Sequence, residues 1–254
     1  MIAVRAIAFG DLDTGTWGLS WLPEPGGPAR LAVRRGGGSQ LVEGVLETAN
    51  EDDAPWRVEA DGASLSFTPT GPPVQGGSEA VGVQTLDQLC EVTGRLALGE
   101  EEAELRSLGW RSSVQGGADY ASLDSFRFLA GWLDPHQGFS LLALRPRKAR
   151  GHDADMVAAA VIDDPSLPRI DDPRLSTTYT ESGRPARAGL ELWFEEKDEE
   201  DAENAHHYPR RAAGEEVGDG LGWDQDGFAL SASLLRWHSH GGEGPGVYVL
   251  GRSR

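Results

Sequence analysis

Apolar and polar positions alternate along most of this chain in short runs, and each run is bounded by Gly, Pro, Asp or Asn. In the first third the runs are VRAIAFG (4–10), TWGLSWL (16–22), ARLAVRR (29–35), QLVEGVLETA (40–49), WRVEA (56–60) and ASLSFTPT (63–70). Period-two alternation with this punctuation predicts β-strands, and the spacing is that of a sandwich or barrel. Asp61-Gly62 between two alternating segments predicts a tight hairpin. The pattern continues as strand, turn, strand through 90–110, then at 125–134, 139–147, 155–164, 175–183, 188–196, 228–239 and 246–252. That makes about fourteen strands and no amphipathic helix of three turns. The stretch EEEAEL (100–105) reads equally as a helical turn.

Two stretches break the pattern. PVQGGSEAVGVQ (73–84) reads as a loop, and EEKDEEDAENAHHYPRR (195–211) as a charge-dense, solvated insertion. They divide the chain into an N-terminal β module, 1–86, and a larger C-terminal β module, 87–254, which carries the insertion. No fixed-period repeat is present, which disfavours solenoids and propellers. The expected fold class is all-β and antiparallel, with two barrel-like or sandwich-like modules.

Composition narrows the function. The 254 residues carry a formal charge of −18, which excludes a nucleic-acid backbone or an anionic membrane surface as partner. No run approaches the roughly 20 apolar residues of a membrane span, and the N-terminus lacks a signal-length apolar region. The single cysteine, Cys90, precludes an internal disulfide and suits a reducing compartment. A cytoplasmic protein is expected, of undetermined oligomeric state.

Most chemistry-bearing motifs are incomplete. Asp13-Thr14-Gly15 matches the aspartic-protease tripeptide once, so only a homodimer would complete the two-carboxylate dyad; otherwise it is a turn. His238 and His240 share a strand face but lack a third ligand, and the adjacent His206 and His207 fit no zinc frame. DQDGF (224–228) and the pairs Asp163-Asp164 and Asp171-Asp172 fall short of the EF-hand spacing. GGEGPG (241–246) lacks the Lys-Ser/Thr of a phosphate loop and reads as a connection between the last two strands. No metal site and no cofactor is therefore expected. What remains is a set of eight tryptophans with scattered Phe and Tyr. Such rings commonly fill β-cores, and they also wall pockets for apolar ligands, where they stabilise a passing cation.

The segment CEVTGRLALGEEEAELRSLGWRSS, followed by SFRFLAGWLD…GFSLLALRPR, AGLELWFEE…YPRRAAGEEV and LLRWHSHGGEGPGVYVLGR, resembles the tandem lipocalin-like family of carotenoid 1,2-hydratases (hydroxyneurosporene synthases) and AttH-like proteins. The likeness covers about residues 85–254 and extends to 1–84 by strand pattern. It rests on the turn Gly109-Trp110-Arg111-Ser112-Ser113 that opens the second barrel in that family. Ser112-Ser113-Val114 stands here where the family often carries Asp-His-Ser-Trp. The resemblance implies two barrels with a ligand cavity in or between them, and activities such as hydration of isoprenoid double bonds or guided pericyclic cyclisation.

Two functions follow from these readings. One is a cofactor-independent hydratase, cyclase or isomerase acting on an isoprenoid- or polyketide-like substrate; the other is a carrier with the same cavity and no chemistry. The enzyme needs an acid to protonate an alkene, and Asp119, Tyr120 and Asp124, just before the strand at 125–134, are the candidates. The candidate ligand-binding residues are Trp17, Trp21, Trp110, Arg111, Phe128, Trp132 and Trp193. A buried acid within the cavity would favour the enzyme, and a wholly apolar cavity the carrier.

Overall fold

The computed structural model describes residues 2–22, 29–49, 51–99, 101–116, 120–151, 154–163, 169–195 and 208–254. Its first sheet holds β1 (Ile2–Asp11), β2 (Thr16–Leu22), β3 (Ala29–Arg35), β4 (Gly38–Glu47), β5 (Trp56–Ala60), β6 (Ala63–Pro69), β7 (Val74–Ser78), β8 (Val83–Leu98) and β9 (Glu101–Gly116). The second holds β10 (Leu123–Asp134), β11 (Gln137–Pro146), β12 (Met156–Ile162), β13 (Ile170–Tyr179), β14 (Pro185–Phe194), β15 (Arg210–Glu216), β16 (Leu221–Gln225), β17 (Phe228–Ser239) and β18 (Gly242–Ser253). A 3-10 turn, Tyr120–Ser122, precedes β10. Among the described residues no helix is long and apolar enough to cross a membrane.

Both sheets are antiparallel and curl into lipocalin-like barrels, as the alternation predicts. The first runs β6-β5-β4-β3-β2-β1-β9-β8-β7 and closes through an additional β6–β8 pairing. The second runs β12-β11-β10-β18-β17-β15-β14-β13, leaving β12 and β13 as facing edges, with β16 attached to β17. Pro173 sits on β13, where a residue without an N–H is tolerated because the strand is an edge.

The expected boundary at residues 86–87 falls in the middle of β8, whereas the chain passes from one sheet to the other between β9 and β10. β8 is long because it serves two partners. Its first half pairs with β7, from Ser78↔Val83 to Val74↔Asp87, and its second half with β6, from Pro69↔Cys90 to Ala63↔Leu96. Between the two halves Gln88 donates from Nε2 to the carbonyls of Gly71 (3.0 Å) and Asp52 (2.8 Å), supplying hydrogen bonds where the strand partner changes.

Several strands lie outside the predicted set or shift its bounds. Residues 73–84 form β7 and open β8 instead of a loop, because VQGGS takes its strand form from pairing with β8 and carries no apolar alternation. RRAAGEE (β15) and LGWDQ (β16) are also strands; alanine and glycine on the inner face of β15 hide its alternation. Glu101 onward is strand, not helical turn. Of the acidic insertion, residues 196–207 lie outside the described residues, and Arg210 already begins β15. All of GGEGPG but its first glycine falls inside β18, and the connection from β17 is His240-Gly241, both at positive φ.

Three cores result. Barrel 1 is filled by Ile7, Phe9, Leu31, Trp56, Leu65, Phe67 and Cys90. Barrel 2 is filled by Leu129, Phe139, Leu141, Leu190, Trp237 and Tyr248. The third core is the seam between the barrels, built from the outer faces of β1, β2 and β9 against those of β10, β11, β17 and β18. Strands at the seam are buried on both faces, which is why 4–10, 126–132 and 139–144 read as nearly continuous apolar runs. Trp21 stacks on Phe126 with ring centroids 5.1 Å apart, and Phe126 meets Phe228 edge-on at 5.4 Å.

Because the seam residues form one contiguous cluster, the barrels are expected to unfold together. Phe126→Ala should lower the unfolding free energy by about 3–5 kcal/mol. Guanidinium chloride curves from tryptophan fluorescence and far-UV circular dichroism should still coincide; two separate transitions would show that each barrel is its own cooperative unit.

Candidate functional site

At the centre of the seam lies a charge-bearing side chain that the apolar pattern conceals. Asp87 alternates with Val83, Thr85 and Leu89 on the face of β8 that looks out of barrel 1, and it is completely buried. Three side chains donate to it: Trp110 Nε1 to Oδ1 at 2.9 Å, Thr85 Oγ1 to Oδ2 at 2.6 Å and Ser140 Oγ to Oδ2 at 3.1 Å. Thr85 and Trp110 belong to barrel 1 and Ser140, on β11, to barrel 2, so the carboxyl group bridges the two. Burial pushes the Asp87 carboxyl above the usual carboxylate range, and the hydrogen bonds oppose that shift only in part.

Gly76 packs over this node. A Cβ on Gly76 would lie 2.5 Å from Thr85 Oγ1 and 2.8 Å from the Ala159 carbonyl oxygen, so β7 reaches β12 only because that position is glycine. Just outside the node the seam opens into a cavity of about 430 Å³. Val74, Leu89 and Ala160 line its inner end; Val74 is the register partner of Asp87, and Ala160 is the partner of Ser140. Ile162, Ile170 and Phe194 continue the apolar wall around the β12 edge. Thr70 Oγ1 ties the two sides of the opening by donating to the Pro135 carbonyl at 2.5 Å. The polar lining is His136, Gln75, Arg169 and Asp163, whose carboxylate pairs with Arg210 at 2.6 Å.

Of the residues predicted from sequence, Trp17, Trp21, Trp110, Phe128 and Trp132 do converge, in the seam core. There they pack against one another, and none of them lines the cavity. Arg111 points into barrel 1, where it donates to Gln88 Oε1 (2.7 Å) and to the carbonyls of Ala54 and Asp52 (2.6 Å each) and lies 5.0 Å from the Trp56 ring. Trp193 stands on the outer face of barrel 2 beneath Arg174, 5.4 Å away. Asp124 is exposed at the start of β10, the opposite end of that strand from the Pro135-His136 turn beside the cavity. The backbone of Tyr120 opens the 3-10 turn, and Asp119 lies outside the described residues.

The remaining motifs resolve as turns or surface groups. Asp11 accepts from the Asp13 N–H (2.9 Å) and the Thr14 hydroxyl (2.8 Å), so Asp13-Thr14-Gly15 is the β1–β2 turn. His238 faces Glu243 across the last hairpin at 3.4 Å. Among the described residues no three His, Cys, Asp or Glu side chains converge to hold a metal ion. His206 and His207 lie outside them. Sequence reasoning missed Asp87, although LDQLC places an acid between Thr85 and Leu89 on one strand face, which was the available signal.

No family model and no curated protein matches the chain. Solved structures do. The structure of CghA aligns over 99% of this chain and 88% of its own, with TM-score 0.62 and 10% identity. An AttH candidate from Nitrosomonas europaea aligns over 100% and 94%, with TM-score 0.64 and 13% identity. At such identities the likeness is one of fold: the whole chain is similar to these proteins in its two-barrel, AttH-like architecture. The narrower kinship with carotenoid hydratases stays an expectation of the sequence.

The raised Asp87 makes a pH prediction. The unfolded chain releases this proton near pH 3.9, whereas the native carboxyl keeps it to a higher pH. Unfolding therefore releases a proton in that window, and this group's contribution to stability falls as pH rises from about 4 through the native pKa, then levels off. Asp87→Asn should remove that slope, read from thermal midpoints at a series of pH values. Parallel curves for the two proteins would show that the carboxyl titrates alike in both states.

Proposed function

We propose that this protein binds an apolar small molecule in the cavity between its barrels. The observation that carries the reading is the cavity's position and lining. It is of ligand size, and its walls include Val74, Leu89, Ala160, Ile162, Ile170 and Phe194, with Thr70, Gln75, His136, Asp163 and Arg169 as polar lining. Similarity in fold to CghA and to the Nitrosomonas europaea AttH candidate supports a lipocalin-like binding protein without naming the ligand. An isoprenoid- or polyketide-like compound fits the walls. The aromatic set predicted as the pocket wall acts one layer behind it, fixing the barrels whose surfaces make the cavity.

One observation favours a second reading, a cofactor-independent hydratase, cyclase or isomerase. Asp87 is a carboxylic acid made harder to ionise by burial, and it lies directly behind Val74 and Ala160. A carboxyl group that burial keeps protonated to a higher pH than usual suits protonation of an alkene. In the closed arrangement Asp87 does not reach the cavity, so this chemistry needs β7 to shift and binding alone does not.

The two readings separate experimentally. Ile162→Trp should fill the cavity and weaken binding of the neutral probe N-phenyl-1-naphthylamine by about tenfold or more, with the fold intact by circular dichroism. Unchanged affinity would place the ligand elsewhere. For the acid, acyclic isoprenoid alkenes incubated in deuterated water should gain carbon-bound deuterium with the wild type and none with Asp87→Asn. No incorporation by the wild type leaves the carrier.

A further inference from the structure

The end of barrel 2 opposite the cavity has a different chemistry. Positions 127 on β10, 145 on β11 and 252 on β18 turn inward with Leu129, Leu141 and Tyr248, and all three are arginine. Ser125 pairs with Arg145 on one side and Arg252 on the other, and Arg127 lies one inward step deeper, between Ala143 and Leu250. The guanidinium groups therefore gather on one wall of the barrel mouth in a chain of net charge −18.

Their surroundings are hydroxyls more than carboxylates. The Tyr179 hydroxyl lies near Arg127 and favours its charged form. Arg252 lies 5.6 Å from the Tyr179 ring, with the 180–184 turn packed over it at Gly183. Tyr248 and Thr177 share a hydroxyl hydrogen bond of 2.7 Å. Asp155 is the one described carboxylate that forms ion pairs here, 3.9 Å from Arg127 and 3.8 Å from Arg145. Arg127 therefore meets its carboxylate at a distance beyond a good hydrogen bond, and Arg252 forms no ion pair among the described residues. By contrast, the neighbouring Arg184 is paired with Glu216 at 3.2 Å, and Arg187 with Glu215 at 2.7 Å.

We infer that this mouth of barrel 2 is a binding site for an oxyanion, a carboxylate or phosphate group, held by Arg127 and Arg252 with the Tyr179 hydroxyl beside them. Guanidinium forks match the two oxygens of such a group, and Arg127 is only 21% exposed, so an anion there is partly removed from competing water. The filled barrel interior beneath, with Leu129, Leu141 and Tyr248 buried, separates this site from the cavity at the far end. The inference does not depend on what the cavity binds.

The test is titration calorimetry of the full chain with inorganic phosphate, with acetate, and with sodium chloride at matched ionic strength. Phosphate or acetate should bind saturably where chloride does not. Arg127→Gln and Arg252→Gln should each weaken that binding by on the order of tenfold, and Arg127→Lys should recover part of it. Arg252 is exposed, so its variant keeps the inference testable should Arg127→Gln fail to fold. Dodecanoate binding no tighter than acetate identifies a free anion as ligand, and tighter binding lost in the same variants identifies an amphiphile's headgroup. Equal affinity in the wild type and both Gln variants, or chloride acting as well as phosphate, overturns the site.

Discussion

A fully buried carboxyl group must find hydrogen-bond donors inside the protein, and the donors that Asp87 finds dictate how the two barrels meet. Trp110 and Thr85 reach it from barrel 1 and Ser140 from barrel 2. An apolar seam alone would tolerate sliding, because stacked rings and aliphatic side chains are satisfied in many registers. A carboxyl group with two hydroxyls and an indole N–H around it is satisfied in one. Burial raises the pKa and the donors limit that rise, so the node is stable only as a complete set.

Around that fixed point the packing follows from which strands are covered on both sides. β1, β10 and β11 present apolar residues inward to their own barrels and outward to the seam. The outward rings, Trp21 against Phe126 and Phe128 among them, pack the seam. Packing stops where two strands change role: β8 leaves β7 for β6, and β12 ends as an edge facing β13. The cavity lies at that gap. It is a consequence of topology before it is a site.

Much of this was legible in the alternation. The all-β class, the two modules and the Asp61-Gly62 hairpin were readable because period-two patterns and turn residues are local. β7, β15 and β16 were not, since Gly, Ala and charged residues take strand form there by pairing alone. The tryptophans were recognised as a group, and five predicted rings or ring neighbours do converge, yet local pattern cannot tell a packed seam from a pocket wall. Asp87 was missed for a related reason. Its partners Thr85 and Trp110 are near in strand register, but Ser140 is 53 residues away. The cavity residues come from β7, β8, β12, β13, β14 and the segments at 70–73 and 135–136, so no stretch of sequence contains the site.

Large side chains occupy the interiors of both barrels. In barrel 1, Phe9 and Phe67 meet edge-on at 6.2 Å, and Arg111 on Trp56 plugs one end beneath the 52–54 carbonyls. In barrel 2, Phe139 meets Trp237 at 5.0 Å, and Gly246 must be glycine because a Cβ would lie 2.6 Å from that indole. The seam end offers an apolar cavity with Asp163 already neutralised by Arg210. The far end offers guanidinium groups and hydroxyls around a filled floor. On the two proposals made above, apolar surface and anionic charge would be recognised at different ends of the same strands, with packed aromatics between them.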